Sequence, residues 1–111
     1  MARFIKGDVV VLPFPFTDLT ASKKRPAIIL SDLRGDDYIM LQITSQNVKD
    51  SYAIPLIQSD FSSGTLRQDS NIRPNKIFTL DKSLILYKAG HLTNDKLNEC
   101  IKKVCSIIQN N

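Results

Sequence analysis

Pro26-Ala27-Ile28-Ile29-Leu30-Ser31, Arg34-Gly35-Asp36-Asp37 and Tyr38-Ile39-Met40-Leu41-Gln42-Ile43-Thr44 follow one another with two residues between the first and the second. Two apolar, β-branched runs flank a segment of turn chemistry, which reads as a pair of antiparallel strands joined by a hairpin. A turn centred near residues 34 and 35 pairs residue 25 with a partner near 44. The outer ends of the two strands, at Arg25 and Thr44, then come together.

Working outward, Gly7-Asp8 opens Val9-Val10-Val11-Leu12, a buried strand expected to end at Pro13. Pro13-Phe14-Pro15-Phe16 cannot continue a central strand, because two ring nitrogens lack N–H donors. Residues 17–24 form a polar loop, long for a hairpin connection, and such loops are often functional. Downstream, residues 52–57 read as a short strand whose Pro55 places it at an edge. Residues 60–69 read as irregular, 70–80 as an extended segment interrupted at Pro74, 82–86 as a helical turn and 87–92 as a last strand. Thr93 is a good N-cap with Asp95 in the first turn. Leu97, Cys100, Ile101, Val104, Cys105 and Ile108 then recur at helical spacing, predicting one amphipathic helix packed on a sheet. Short strands followed by a helix indicate a mainly β domain, a small barrel or coiled sheet with a C-terminal α-helix.

The chain has 111 residues, which sets an expectation of a single domain over 1–111. Its 15 basic and 11 acidic residues leave a charge of +4, compatible with a polyanionic partner without demanding one. Met1-Ala2-Arg3-Phe4-Ile5-Lys6-Gly7-Asp8 lacks the long apolar run of a signal peptide. No stretch approaches the ~20 apolar residues needed to span a bilayer, so a cytoplasmic protein with no membrane partner is expected. Cys100 and Cys105 are poorly placed to bridge and read as small core or near-core residues in a reducing compartment.

Several chemistries are disfavoured. The single histidine, His91, reads as a packing or hydrogen-bonding residue. No His, Cys or carboxylate set has metal-ligand spacing, so neither metal nor cofactor is expected. Asp36-Asp37 belongs to a solvated turn. Gly35 and Gly64 stand alone, so there is no glycine-rich phosphate loop. The cysteines have no histidine near them in sequence. What remains is Lys23-Lys24-Arg25 entering one strand and Thr44-Ser45-Gln46 leaving its neighbour. A guanidinium and a hydroxyl on one rim can hold a phosphate. The same residues also read as a merely solvated basic strand end.

Gly7-Asp8-Val9-Val10, Pro13-Phe14-Pro15-Phe16-Thr17-Asp18 and Lys24-Arg25-Pro26-Ala27-Ile28-Ile29-Leu30 resemble the N-terminal half of PemK/MazF toxins. Ile43-Thr44-Ser45-Gln46 is similar to that family's Thr-bearing strand end. Asp69-Ser70-Asn71-Ile72, the stretch from Lys76-Ile77 to Asp81-Lys82, and Gly90-His91-Leu92 resemble its C-terminal half. The resemblance implies an SH3-like small β-barrel of the CcdB/PemK type and a homodimer. It implies a sequence-specific, metal-independent endoribonuclease, an mRNA interferase, that cuts single-stranded RNA and is blocked by a cognate antitoxin. Arg25 and Thr44 would be catalytic. Phe16, Thr17, Lys23, Lys24, Ser45, Gln46, Asn47, Arg67 and Lys76 would bind RNA, with Phe16 stacking on a base or packing under its loop. Lys49 can also track the backbone. Position 76 is Lys where some members carry Gln, so nucleotide preference does not transfer. Two other functions fit the same fold: a non-catalytic gyrase-binding toxin like CcdB, and an SH3-like RNA-binding module.

Overall fold

In the computed structural model, which describes residues 3–14 and 23–111, Ala27, Ile28 and Ile29 are consecutive and have no exposed surface. Met40 and Leu41 on the neighbouring strand are equally buried. Strands read as unbroken apolar runs when both sheet faces are covered, and that is the case here. The chain runs β1 (Asp8–Phe14), β2 (Lys23–Asp32), β3 (Asp37–Thr44), β4 (Ile54–Leu56), β5 (Phe61–Gly64), β6 (Ser70–Asp81), β7 (Tyr87–Leu92) and α1 (Asn94–Asn110). The strands form one antiparallel sheet in the order β4-β6-β3-β2-β1-β7-β5, curled into a half-barrel. The protein is thus mainly β with a C-terminal helix.

Alternation along each strand sends side chains to opposite faces. Val9, Ile28, Leu41, Ile43 and Ile72 face α1 and meet its buried Leu97, Cys100 and Val104. Val10, Leu12, Phe14, Ala27, Ile29, Tyr38 and Met40 face the other way and form a second cluster with Phe78, Leu80 and Ile85. Thr93 caps α1, its hydroxyl accepting from Lys96 N at 3.2 Å. Burial pushes the Cys100 thiol up to about 12. Cys105, expected in or near the core, is exposed. Ile108 is 67% exposed, because the sheet does not extend under the last turns of the helix. No helix among the described residues is long and apolar enough to cross a membrane.

The first strand does not stop at Pro13, which pairs with Lys24, and Phe14 pairs with Lys23. On its other side β1 pairs with β7 only from Asp8 to Val11. Past Val11 no described strand pairs with β1 on that side, so a residue without an N–H forfeits no bond to β7 there. Pro55 lies in edge strand β4, as its missing donor requires. Residues 61–64, expected to be irregular, form edge strand β5 against β7. In β6 the register with β3 jumps from Ile77 opposite Leu41 to Arg73 opposite Gln42, so residues 74–76 bulge out around Pro74.

The start of β1 is fixed by one buried carboxylate. Asp8 is 1% exposed. It accepts from Ile5 N at 2.9 Å and lies 2.7 Å from His91 Nδ1 and 3.2 Å from Lys88 Nζ. His91 is therefore a hydrogen-bonding residue. Gly7 has φ +94°, and a Cβ there would approach the His91 ring at 3.0 Å. Asp8→Ala should lower the unfolding free energy by about 2–4 kcal/mol, and Asp8→Asn by less. Equilibrium urea denaturation measures this, and a change under about 0.5 kcal/mol for Asp8→Ala would show that the carboxylate does not anchor the strand.

Candidate functional site

β3 runs between β2 and β6, and its last residues gather polar side chains from both. Ala27 pairs with Gln42, the last ladder pair on the β2 side. That register is reached after a one-residue shift between Ile29 and Ser31, and carried two residues further it would set Arg25 opposite Thr44. On the β6 side Thr44 pairs with Asn71 and Gln42 with Arg73. Ile43 and Ile72, which alternate with these, belong to the helix-side core. Arg25, Gln42, Thr44, Asn71 and Arg73 therefore share the opposite face. There the apolar cluster ends at Ala27 and Met40, and a polar patch takes over.

The patch is short of acceptors. Arg25 Nε and Arg73 Nε are buried and have no hydrogen-bond partner among the described residues. An unmet buried donor costs about 1–3 kcal/mol, so two in one patch need an explanation. Thr44 is 8% exposed, and its Oγ1 accepts from Gln46 N at 3.2 Å. That leaves the hydroxyl hydrogen to donate. Arg73 Nη2 donates to Asp50 Oδ2 at 2.9 Å, and Asn75 Nδ2 reaches the same oxygen at 3.4 Å. Asp50 Oδ1 accepts from Tyr52 N and Ala53 N. Burial works to raise the Asp50 pKa, but the hydrogen bonds from Arg73 and the two amides outweigh it and hold the carboxyl below its ordinary value.

The other residues singled out in the sequence divide between places. Lys23, opposite Phe14, alternates with Lys24 and falls on the Arg25 face. Lys24, Ser45 and Arg67 line a groove of about 850 Å³ on the helix side of the sheet, floored by Val9, Ile43 and Leu56. Gln46 and Asn47 are exposed just past β3, with the Gln46 carbonyl accepting from Asn71 Nδ2 at 3.3 Å. Lys76 is exposed in the β6 bulge, and Lys49 is exposed in the loop after β3. Phe16 and Thr17 lie outside the described residues. Sequence reasoning passed over Arg73, Asn71 and Asp50. The available signal was the alternation of Asn71, Ile72 and Arg73 across the two faces of a strand.

Fold and patch together define a class: a small curled β-sheet that gathers arginine, hydroxyl and amide side chains at the ends of its central strands. Residues 5–108 match the PemK-like, MazF-like toxins of type II toxin–antitoxin systems, and the chain belongs to that family. Similar solved structures include MazF of Deinococcus radiodurans, with TM-score 0.76, 20% identity, and 98% and 99% of the two chains covered. A mycobacterial endoribonuclease in complex with its cognate antitoxin has TM-score 0.76, 14% identity and 98% of each chain covered. Mycobacterium tuberculosis toxin MazF-mt6 has TM-score 0.72 and 13% identity, with 94% of this chain and 98% of that one covered. No curated protein sequence gives a significant match.

The Asp50–Arg73 pair makes a prediction about acid. A carboxyl whose folded pKa lies below its unfolded one near ~3.9 contributes its full stability above that value, and loses it as pH falls through the folded value. Asp50→Asn should therefore lower Tm at neutral pH, with the gap to wild type closing below about pH 4. A gap that stays constant into strong acid in a thermal melt series would count against the pairing.

Proposed function

We propose that this protein is a sequence-specific endoribonuclease toxin that cleaves single-stranded RNA without a metal ion. In this reading it acts in the cytoplasm as a homodimer and is silenced by a cognate antitoxin. What supports it is strand alternation that puts Arg25 and Thr44 on one face, two residues past the last β2–β3 pair, Ala27 with Gln42. Family membership supports it, as do the fold neighbours, which include a mycobacterial endoribonuclease with its antitoxin and a MazE–MazF structure from Deinococcus radiodurans.

RNA carries its own nucleophile. The 2′-oxygen bonds to the adjacent phosphorus as the bond from phosphorus to the 5′-oxygen breaks. The 2′-OH proton goes to a base and the departing 5′-oxygen takes up a proton. The products are a 2′,3′-cyclic phosphate and a free 5′-OH. Because this nucleophile is a neighbouring hydroxyl, no metal-activated water is required. The protein must align the attack and stabilise the charge that builds on the phosphoryl oxygens. Arg25 suits the second task, since its planar fork holds two oxygens and stays charged. A guanidinium with pKa above ~12 is poorly matched to proton transfer near neutrality, so Arg25 is assigned electrostatic work. Thr44 donates to the same phosphate. Lys23 follows the backbone on that face, and Gln46 and Asn47 read base edges beside it. Phe16, Thr17, Lys24, Ser45, Arg67 and Lys76 are proposed to extend the RNA-binding surface.

Incubating the protein with a long transcript in EDTA tests this. Cuts at a short recurring sequence, with cyclic phosphate ends, are expected. A gyrase-binding toxin would leave RNA whole, and a plain RNA-binding module would bind without turnover. Thr44→Val should lower kcat by ~10²–10³-fold while Thr44→Ser retains most of it. Arg25→Lys keeps the charge but loses the fork, and full activity in that variant would refute bidentate binding.

A further inference from the structure

Asparagine is a poor strand former, yet Asn71 lies inside β6 with β3 on one side and β4 on the other. It is opposite Thr44, and paired residues of an antiparallel ladder send their side chains to one face. Asn71 Nδ2 donates to the Gln46 carbonyl at 3.3 Å. The Gln46 N–H in turn donates to Thr44 Oγ1 at 3.2 Å. Residue 46 is thus held through both of its backbone groups, one to each member of the Thr44–Asn71 pair, and the contacts close a ring. A hydroxyl has one hydrogen and two acceptor lone pairs. With the Gln46 N–H on its oxygen, the Thr44 hydroxyl turns its hydrogen away from residue 46. A bond from threonine to the amide two residues on is local and weak by itself. It depends on the path of the backbone after β3, and Asn71 ties that path to β6. An asparagine that only fastened a loop would have no bearing on the Thr44 hydroxyl, whereas this tie ends on the residue whose N–H orients it.

We propose that Asn71 is a positioning residue for Thr44: by holding the Gln46 backbone, it keeps the Thr44 hydroxyl aimed at the scissile phosphate. The inference rests on the RNA-cleaving function proposed above. Asn71 acts through Gln46 and Thr44 rather than by touching RNA. Its loss should then lower kcat and leave KM near the wild-type value.

The test begins with wild-type protein and a long transcript, to locate a cut site. Steady-state kinetics are then run on a short RNA spanning that site. Asn71→Leu removes the amide donor at similar volume and adds no charge. It should lower kcat about ten-fold, less than the ~10²–10³-fold expected of Thr44→Val, and change KM by under about two-fold. In a Thr44→Val background the same substitution should cost under about two-fold, because no hydroxyl is left to aim. If wild type cuts the RNA but Asn71→Leu keeps the wild-type kcat, the Asn71 assignment is overturned and the nuclease function stands. A rise in KM with kcat unchanged, or an equal loss of kcat with and without the Thr44 hydroxyl, overturns it too. If wild type cuts nothing, the nuclease function fails and the Asn71 assignment fails with it. Should Asn71→Leu not fold, hydrogen exchange at the Gln46 amide of wild type decides the question: slowed exchange supports the hold, and exchange as fast as in an open loop overturns it.

Discussion

The register of β3 between β2 and β6 is the constraint on which the site depends. Side chains alternate along a strand, so a slip of one residue would exchange the two faces. Thr44 would then turn toward α1, and Ile43 would enter the polar patch. Burial on both faces forbids the slip, because Leu41 and Ile43 fit one core while Tyr38 and Met40 fit the other. Two apolar clusters thus fix by packing a register that the β2–β3 ladder itself carries only as far as Ala27. They hold a threonine and an arginine from different strands in line across a ladder that has already ended at Ala27.

The polar end of this face is uneasy by the usual standards of protein interiors. Buried donors are nearly always met, yet among the described residues two guanidiniums each keep one N–H unmet. Such features persist only where the surrounding structure enforces them, and they concentrate at sites of function. The rest of the fold offsets the cost through long apolar strands and a capped helix. Asp8 makes a useful contrast. It is the most deeply buried charge described, and the Ile5 amide, His91 and Lys88 all engage it. One charged cluster is satisfied and structural, while the other is left open.

Much of the architecture could be read from residue patterns, because the signals were local. The hairpin of β2 and β3, the edge position of Pro55, the interruption at Pro74 and the Thr93 cap follow from turn chemistry, missing donors and spacing. Counting back from the turn puts Arg25 near Thr44, but the pairs beside the turn, Ser31 with Ile39 and Asp32 with Tyr38, would set Arg25 opposite Ser45; a register shift between Ile29 and Ser31 moves the ladder by one residue. The misses were non-local. Pro13 was tolerated because β7 stops pairing at Val11, which nothing near Pro13 announces. β5 is a four-residue edge strand whose partner lies nearly thirty positions away in the chain. Cys105 points away from the face that buries Cys100 and Val104, and Ile108 lies a turn beyond Val104, the last helix residue in that core. Arg73 and Asp50 are 23 positions apart and meet only because β6 folds back beside β3. The division of the basic residues between two faces was likewise invisible until strand parity could be tied to a particular core.

The β6 bulge at residues 74–76 has a consequence of its own. There the ladder to β3 is given up over three residues that include a proline, a longer break than the one-residue shift in β2 between Ile29 and Ser31. Changes of length or composition there would leave the pairs on either side intact. The segment between Arg73 and Ile77 is in effect a cassette in a rigid frame, open to exchange while the frame keeps its shape. A protein built this way can acquire new preferences at that position without rebuilding its core.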